Sequence, residues 1–403
     1  MLDNNKINNN PLREHIVLAL IGAIAASVIE FLPIMVGAVS DHLQASPDVA
    51  GFIFMSNFLG IAVGTLLSIV AMRQLSLKAC FLLGIILILF AELWSAFISN
   101  TDVLAIVRFL SGIASGIISG SVAAAITLFP RQKRGFGLYM LGMFATSGVG
   151  LFILPYIIGD YGTKGLFISL SVLAGIALVL LRFLALPEPE KENRNSASQS
   201  QPLTVNLKEI IALLGCILFL MVGIGGSWAF YERLGLEWGF TIDDIVFVLS
   251  ISAVCGLTAF FVEQSEKLLK SHYLILLGVA ITLLSIVFLS TSYKGFSFYT
   301  ISLFLTGCGW AYTVPVVQGA LDRISKGNKN AAALSMLMYW CGLSFGLWIH
   351  GYILNATESF QITLLSCGFF YSLSLVCALS VIYYNRSKKL IASEPLTPDV
   401  DFQ

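Results

Sequence analysis

Charged side chains are scarce: Asp, Glu, Lys and Arg make up 11% of the 403 residues, where a soluble globular domain carries roughly a quarter. That scarcity excludes an ordinary water-soluble globule. There is no imbalance of sign either, with 23 basic and 23 acidic residues, so no bulk field points to nucleic acid or to an acidic partner. No CxxC pair occurs, and the seven cysteines, Cys80, Cys216, Cys255, Cys308, Cys341, Cys367 and Cys377, are odd in number and fall in or beside apolar runs. A disulfide framework or a metal site is therefore not expected. The apolar runs lack an HExxH, a GxxxxGK[ST] and any paired His/Asp/Glu motif, which argues against an enzyme and against a bound cofactor. A receptor with a large soluble sensing region is disfavoured too, because the longest polar stretch is a short linker.

What remains is hydrophobic: 57% of residues are apolar, with a mean hydropathy of +0.87. Runs of about 18 or more apolar residues, each enough to cross a bilayer, recur near 16–38, 49–71, 79–99, 103–128, 136–159, 165–186, 209–231, 245–263, 272–292, 297–319, 331–353 and 361–384. Since a bilayer core offers backbone groups no water, twelve such runs read as twelve transmembrane helices. Ala23-Ile24-Ala25 resembles a leader cleavage site, but apolar sequence continues to Ala38, which favours a retained helix. An even number of spans puts both termini on one side. Nineteen basic residues fall on that side against Lys164, Arg233 and Lys294 opposite, so the termini are expected in the cytoplasm and the protein in the inner (plasma) membrane.

The polar segment "PEPEKENRNSASQSQP" between spans 6 and 7 has linker composition. The expected organisation is a six-helix bundle over residues 1–186, a cytoplasmic linker over 187–207, and a second six-helix bundle over 208–403 with a short tail. The halves resemble each other at a near-constant offset: "RFLSG" at Arg108–Gly112 aligns with "LFLTG" at Leu303–Gly307, and "GLFILPYI" at Gly150–Ile157 with "GLWIHGYI" at Gly346–Ile353. Parallel repeats joined by a mid-chain linker suit transporters that rock two bundles about a midplane site.

Three passages carry a family resemblance: "SVIEFLPIMVGAVSDHLQASPDVAGFI" in span 1 and the following loop, "RFLSGIASG" in span 4, and "GVGLFILPYIIG" in span 5. Over essentially its whole length the chain resembles the major facilitator superfamily, and within it the bacterial sugar-efflux and drug-proton antiporter group. The span 2–3 loop, "AMRQLSLKA", keeps only the basic character of the family's signature, through Arg73 and Lys78. The resemblance implies an all-α membrane fold of two six-helix bundles, a proton-coupled exporter of small molecules, and a coupling role for the acidic residue of the span 1 motif, Glu30.

Ionisable residues inside the spans are the first candidates for function, because burying them is costly unless they are paired or wet. Arg108 shares a small-residue face with Gly112, Ser115 and Ser119, and its repeat mate is Leu303; either a role in a cavity or snorkelling to the interface fits. Glu30 lies at comparable depth in span 1, so a Glu30–Arg108 pair is expected. Glu92 in span 3 has apolar neighbours and reads as a protonated or snorkelling carboxylate, with a proton relay as the alternative. Candidate cavity residues are Asn57, Tyr139 and Met143 in the first half and Trp228, Tyr231, Glu232, Trp310, Tyr312, Gln318, Tyr339 and His350 in the second. For Trp228, Tyr231 and Glu232 an outer aromatic belt competes with a cavity mouth. His350 either titrates or sits satisfied near a helix end. The expected protein is a monomeric secondary transporter of a small, partly apolar molecule against protons, with a proton-linked importer or uniporter as alternative.

Overall fold

A computed structural model describes residues 11–186, 207–291, 294–325 and 329–393; most of the expected linker lies outside them. Among the described residues the chain is helical and has no strand. The first half comprises α1 (Pro11–Ala25), α2 (Ser27–Glu30), α3 (Leu32–His42), α4 (Pro47–Gln74), α5 (Leu77–Ser95), α6 (Thr101–Thr127) and α7 (Gln132–Leu180). The second comprises α8 (Leu207–Ala229), α9 (Tyr231–Glu237), α10 (Ile242–Ile251), a 3-10 stretch Ser252–Phe261, α11 (Val262–Leu268), α12 (Ser271–Leu289), α13 (Phe296–Ile324), α14 (Lys329–Thr357) and α15 (Phe360–Ser393).

Ten helices among the described residues are long and apolar enough to cross a membrane. Large side chains such as Phe90, Trp94, Val149 and Phe152 stand exposed on the outside of the bundle, as lipid rather than water would favour. Four apolar runs depart from one helix per run: the fifth and sixth share α7, the first is split among α1 to α3, and the eighth is carried by α10, the 3-10 stretch and α11. Helix α7 holds 49 residues with Gly162 at φ 62, ψ −153 inside it. At about 1.5 Å per residue it is more than twice the length that crosses the hydrocarbon core, and a left-handed glycine is what permits the change of direction. The first run is divided into α1, α2 and α3 by turns at Ala26 and Phe31.

Pro33 supplies the chemistry of that division. A proline has no N–H to donate to the carbonyl four residues earlier, which here belongs to Ile29. That carbonyl accepts instead from Trp228 Nε1 of α8 at 2.9 Å. The irregular backbone beside Glu30 is thus stitched to the other half of the chain.

In the first half α4 packs on α6, α5 on α6 and α7, and α1 on α7; in the second α8 packs on α14 and α15, and α12 on α13 and α15. The α4–α6 seam is built on glycine: a Cβ at Gly60, Gly64, Gly112 or Gly116 would strike the carbonyl of Phe109, Ile113, Asn57 or Ile61 respectively. Small residues let two backbones approach this closely, and dispersion over the shared surface holds them in lipid. Across the halves, α4 meets α14, α7 meets α10 and the 3-10 stretch, and α3 meets α8 and α9.

Candidate functional site: a buried carboxylate between the two halves

Arg108 does not reach Glu30. Its Nη1 donates to Glu92 Oε1 at 2.8 Å, and Nη2 donates to Ser95 Oγ at 2.7 Å and to the Ala91 carbonyl at 3.3 Å. Ser111 Oγ donates to the same Glu92 oxygen at 2.7 Å, and the guanidinium lies 4.8 Å from the Phe167 ring centroid. Arg108 and Glu92 are 0% and 1% exposed. The expected Glu30–Arg108 pair is therefore replaced by Arg108–Glu92, and Glu92 is neither snorkelling nor facing lipid. Glu92 and Ser95 are three apart on α5, Arg108 and Ser111 three apart on α6, so each helix presents both groups on one face. This network ties α5, α6 and α7 together.

Glu30 ends α2 and is buried. It lines a cavity with Phe144 and Ser147 from α7, Trp228 from α8, Ser252 and Cys255 from the 3-10 stretch, and Thr306 and Trp310 from α13. The two sequence halves thus contribute to one pocket around a single carboxylate, and two expected cavity residues, Trp228 and Trp310, line it. Tyr139 packs its ring on Gly22 of α1, and Tyr339 meets Trp340 edge-on with centroids 4.8 Å apart.

One end of this cleft is shut. On the face bearing the loops at 43–46, 238–241 and 358–359, here called distal, Gly51 packs on the Leu347 carbonyl and Gly351 on the Pro47 carbonyl. Arg233 binds Asp41 at 2.7 Å and also donates to the Gly37 carbonyl, joining α9 to α3. Tyr156 donates to Asp243 at 3.2 Å, joining α7 to α10. Towards the opposite face α4 and α14 separate, leaving a groove of about 220 Å³ lined by Thr65, Ser68, Met72, Met336 and Trp340.

Other expected cavity residues face elsewhere. Asn57 is fully buried between helices, Nδ2 donating to the Arg108 carbonyl at 2.7 Å, so it secures the α4–α6 crossing. Tyr231 packs on Tyr299 with centroids 5.4 Å apart. Glu232 is buried against Gly37 and Arg233, at the distal seal and not in an exposed aromatic belt. Tyr312 lies against Gly278 of α12, Gln318 Nε2 donates to Met336 Sδ at 3.2 Å, and Met143 is half-buried against the core. His350 is 0% exposed, its Nδ1 bonded to the Gly346 carbonyl at 2.7 Å, and it packs on Gly226 and Phe370 among α8, α14 and α15. It is neither interfacial nor beside Glu30.

Ser147, Phe144 and Thr306 escaped the sequence reading, as did Asp41 as the partner of Arg233. Asp41 had a signal: it lies just past the first apolar run, at the end of α3, on the side that holds few cations, where Arg233 needs an anion.

A family model described as Major Facilitator Superfamily matches residues 17–348. Among solved structures the chain is similar to a variant of the nucleoside transporter NupG, with TM-score 0.76 and 13% identity, covering 93% of this chain and 99% of that one. It is similar to the POT family transporter PepTSo, with TM-score 0.72 and 13% identity over 94% and 99%. A D-xylose-proton symporter matches with TM-score 0.72 and 14% identity over 92% and 96%.

Proposed function

Since this chain belongs to the Major Facilitator Superfamily, we propose that it is a proton-coupled secondary transporter, not an enzyme, in which Glu30 takes up and releases the coupling proton. The observation that carries this is the position of Glu30: a buried carboxylate without a guanidinium partner, in a pocket built from both halves of the chain. An ionised carboxylate there is costly unless a countercharge or water reaches it. A proton supplies that countercharge in one state, and an opened cleft supplies water in another.

The architecture we infer is twelve crossings in two six-helix bundles, residues 1–186 and 208–403, related by a parallel repeat and joined by a cytoplasmic linker over 187–207. Ten long helices, with α7 crossing twice and α1 to α3 forming a broken first span, add up to that number. The basic-residue bias supports cytoplasmic termini in an inner membrane. With that orientation the sealed distal face is external and the groove between α4 and α14 opens inward. Alternating access then requires breaking the Arg233–Asp41 link and the α4–α14 seam as the inner groove closes.

We read the direction as export of a small, partly apolar molecule, on the resemblance of the span 1, 4 and 5 motifs to the efflux group. Proton-linked import is a second reading, supported by the likeness to a D-xylose-proton symporter. Arg108 and Glu92 serve as a fixed structural pair in either case.

Hydrogen exchange read by mass spectrometry, corrected for intrinsic rates, tests the shared core of both readings. Between pH 8 and pH 6, protection in the wild type shifts between the distal segments 47–53 and 347–354 and the opposite halves of α4 and α14. In Glu30→Gln the pattern is fixed. A wild type whose protection does not respond to pH, or a Glu30→Gln variant that responds equally, contradicts the proposal.

A further inference from the structure

The span carried by α10, the 3-10 stretch and α11 departs from a plain α-helix at its centre. Residues Ser252–Phe261 are ten consecutive residues of 3-10 helix, where such runs seldom exceed three or four residues and, inside a longer helix, often mark a hinge. No proline interrupts the segment SAVCGLTAFF, so a missing backbone donor is not the cause. Two hydroxyls support the tighter winding. Ser252 Oγ donates to the Leu249 carbonyl at 2.6 Å and Thr258 Oγ1 to the Cys255 carbonyl at 2.7 Å, in each case the carbonyl three residues back, which a 3-10 turn also uses.

The two ends of the stretch are held by different halves of the chain. On the α10 side, Asp243 accepts from Tyr156 of α7, and Gly148 of α7 packs on the Ser250 carbonyl and on Ala253. On the α11 side, Arg323 of α13 forks onto both oxygens of Glu266 at 2.8 and 3.1 Å. Helix α11 buries none of its own residues, so little else holds it in place. Between the ends, Gly256 lies under the Phe144 ring and Gly137 of α7 under Phe260. Contact with α7 thus continues towards the face where α4 and α14 have separated.

Winding sets length. A 3-10 helix rises about 2.0 Å per residue against about 1.5 Å for an α-helix, so these ten residues are about 5 Å longer than they would be as α-helix. Both windings satisfy the backbone within the segment, so lipid does not forbid their exchange. Each residue converted also turns what lies beyond it by about 20°. That turn carries Glu266 away from Arg323, so this ion pair belongs to the long form.

We propose that Ser252–Phe261 is an extensible strut of the alternating-access cycle: it is wound as 3-10 helix while the inner groove is open and rewinds towards α-helix as that groove closes, with the Glu266–Arg323 pair latching the long form. This rests on the transport reading above and adds to it the element that absorbs the motion. Ser252 and Cys255 line the cavity of Glu30, and Phe144 touches both that cavity and Gly256. A change of winding therefore reshapes the surroundings of the carboxylate.

Pulsed electron paramagnetic resonance on the reconstituted full-length protein tests the strut, with nitroxides attached to p-acetylphenylalanine introduced at Phe247 and Leu268. Both positions are exposed, and the native cysteines stay in place. Along the axis the two sites lie roughly 36 Å apart in the long form and roughly 31 Å apart with the whole stretch α-helical. The wild type should move towards the shorter distance at the pH at which segments 47–53 and 347–354 exchange faster. Thr258→Val, which removes one supporting hydroxyl, and Glu266→Gln, which opens the latch, should each raise the short fraction at both pH values. For Glu266→Gln the short-to-long ratio should rise by up to about fivefold, as loss of an exposed ion pair allows. Thr258→Ser, which keeps the hydroxyl, should restore the wild-type distances. A wild-type distance that stays constant while the exchange pattern switches overturns the strut and leaves the transport reading standing; a constant distance with an unresponsive exchange pattern overturns both. Unchanged distances in both Thr258→Val and Glu266→Gln also overturn the strut.

Discussion

Arg108 and Glu92 form an ion pair 2.8 Å long that is closed to solvent on both sides. Removing one partner of such a pair strands a buried charge, which costs roughly 3–5 kcal/mol, whereas replacing both by apolar groups is often neutral. Arg108→Leu is therefore expected to lose about 3–5 kcal/mol, while Arg108→Leu with Glu92→Leu recovers most of it. Unfolding followed by tryptophan fluorescence in detergent checks this, and a single variant as stable as wild type contradicts the structural role.

The distal seal makes a graded prediction. The Asp41 carboxylate is 57% exposed, and exposed ion pairs contribute only about 0.2–1 kcal/mol. Asp41→Asn should loosen the seal slightly. Arg233→Ala also removes the donor to the Gly37 carbonyl and leaves the buried Glu232 without its guanidinium neighbour. It should raise hydrogen exchange over residues 47–53 clearly more than Asp41→Asn does. Equal effects of the two variants would contradict this ranking.

The α4–α6 seam gives a third test. A methyl added at Gly112 meets the Asn57 carbonyl and must push two backbones apart, an overpacking that costs about 1–3 kcal/mol. Gly112→Ala should lower thermal stability, while Gly175→Ala, where a Cβ meets nothing within 4 Å, should leave it level or raise it. Similar losses at both positions would show that the seam is not what makes Gly112 necessary.

His350 gives a fourth. Packed in the second half's interior and bonded to the Gly346 carbonyl, it lies away from the residues around Glu30. His350→Leu, which installs the residue found at the repeat position Leu154, should fold and leave the pH response of the exchange pattern unchanged. A lost pH response in this variant would assign His350 a part in coupling.

Much of the fold was legible because lipid leaves so few options: runs of apolar residues long enough to span must be helical, and the structure contains them. The turn at Gly162 falls in the gap between the fifth and sixth expected spans, whereas the bends at Ala26 and Phe31 were hidden by an unbroken apolar run. Pro33 was the available clue, since it leaves the Ile29 carbonyl without its helical donor. At the site, counting residues from helix ends placed Glu30 and Arg108 at similar depth but gave no information on which way each faced. The (i, i+3) pairs Glu92/Ser95 and Arg108/Ser111 held that information. Trp228 and Trp310 were legible as polar-tipped aromatics within apolar runs, whereas Ser147 and Thr306 were not, because small hydroxylated residues are common wherever helices pack closely.

Infrared difference spectroscopy of the reconstituted protein tests the role of Glu30 most directly. On stepping from high to low pH, a carboxylic acid C=O band that shifts in deuterium oxide should appear in the wild type and be absent in Glu30→Gln. An identical band in the variant would show that another group takes the proton and would contradict Glu30 as the coupling carboxylate.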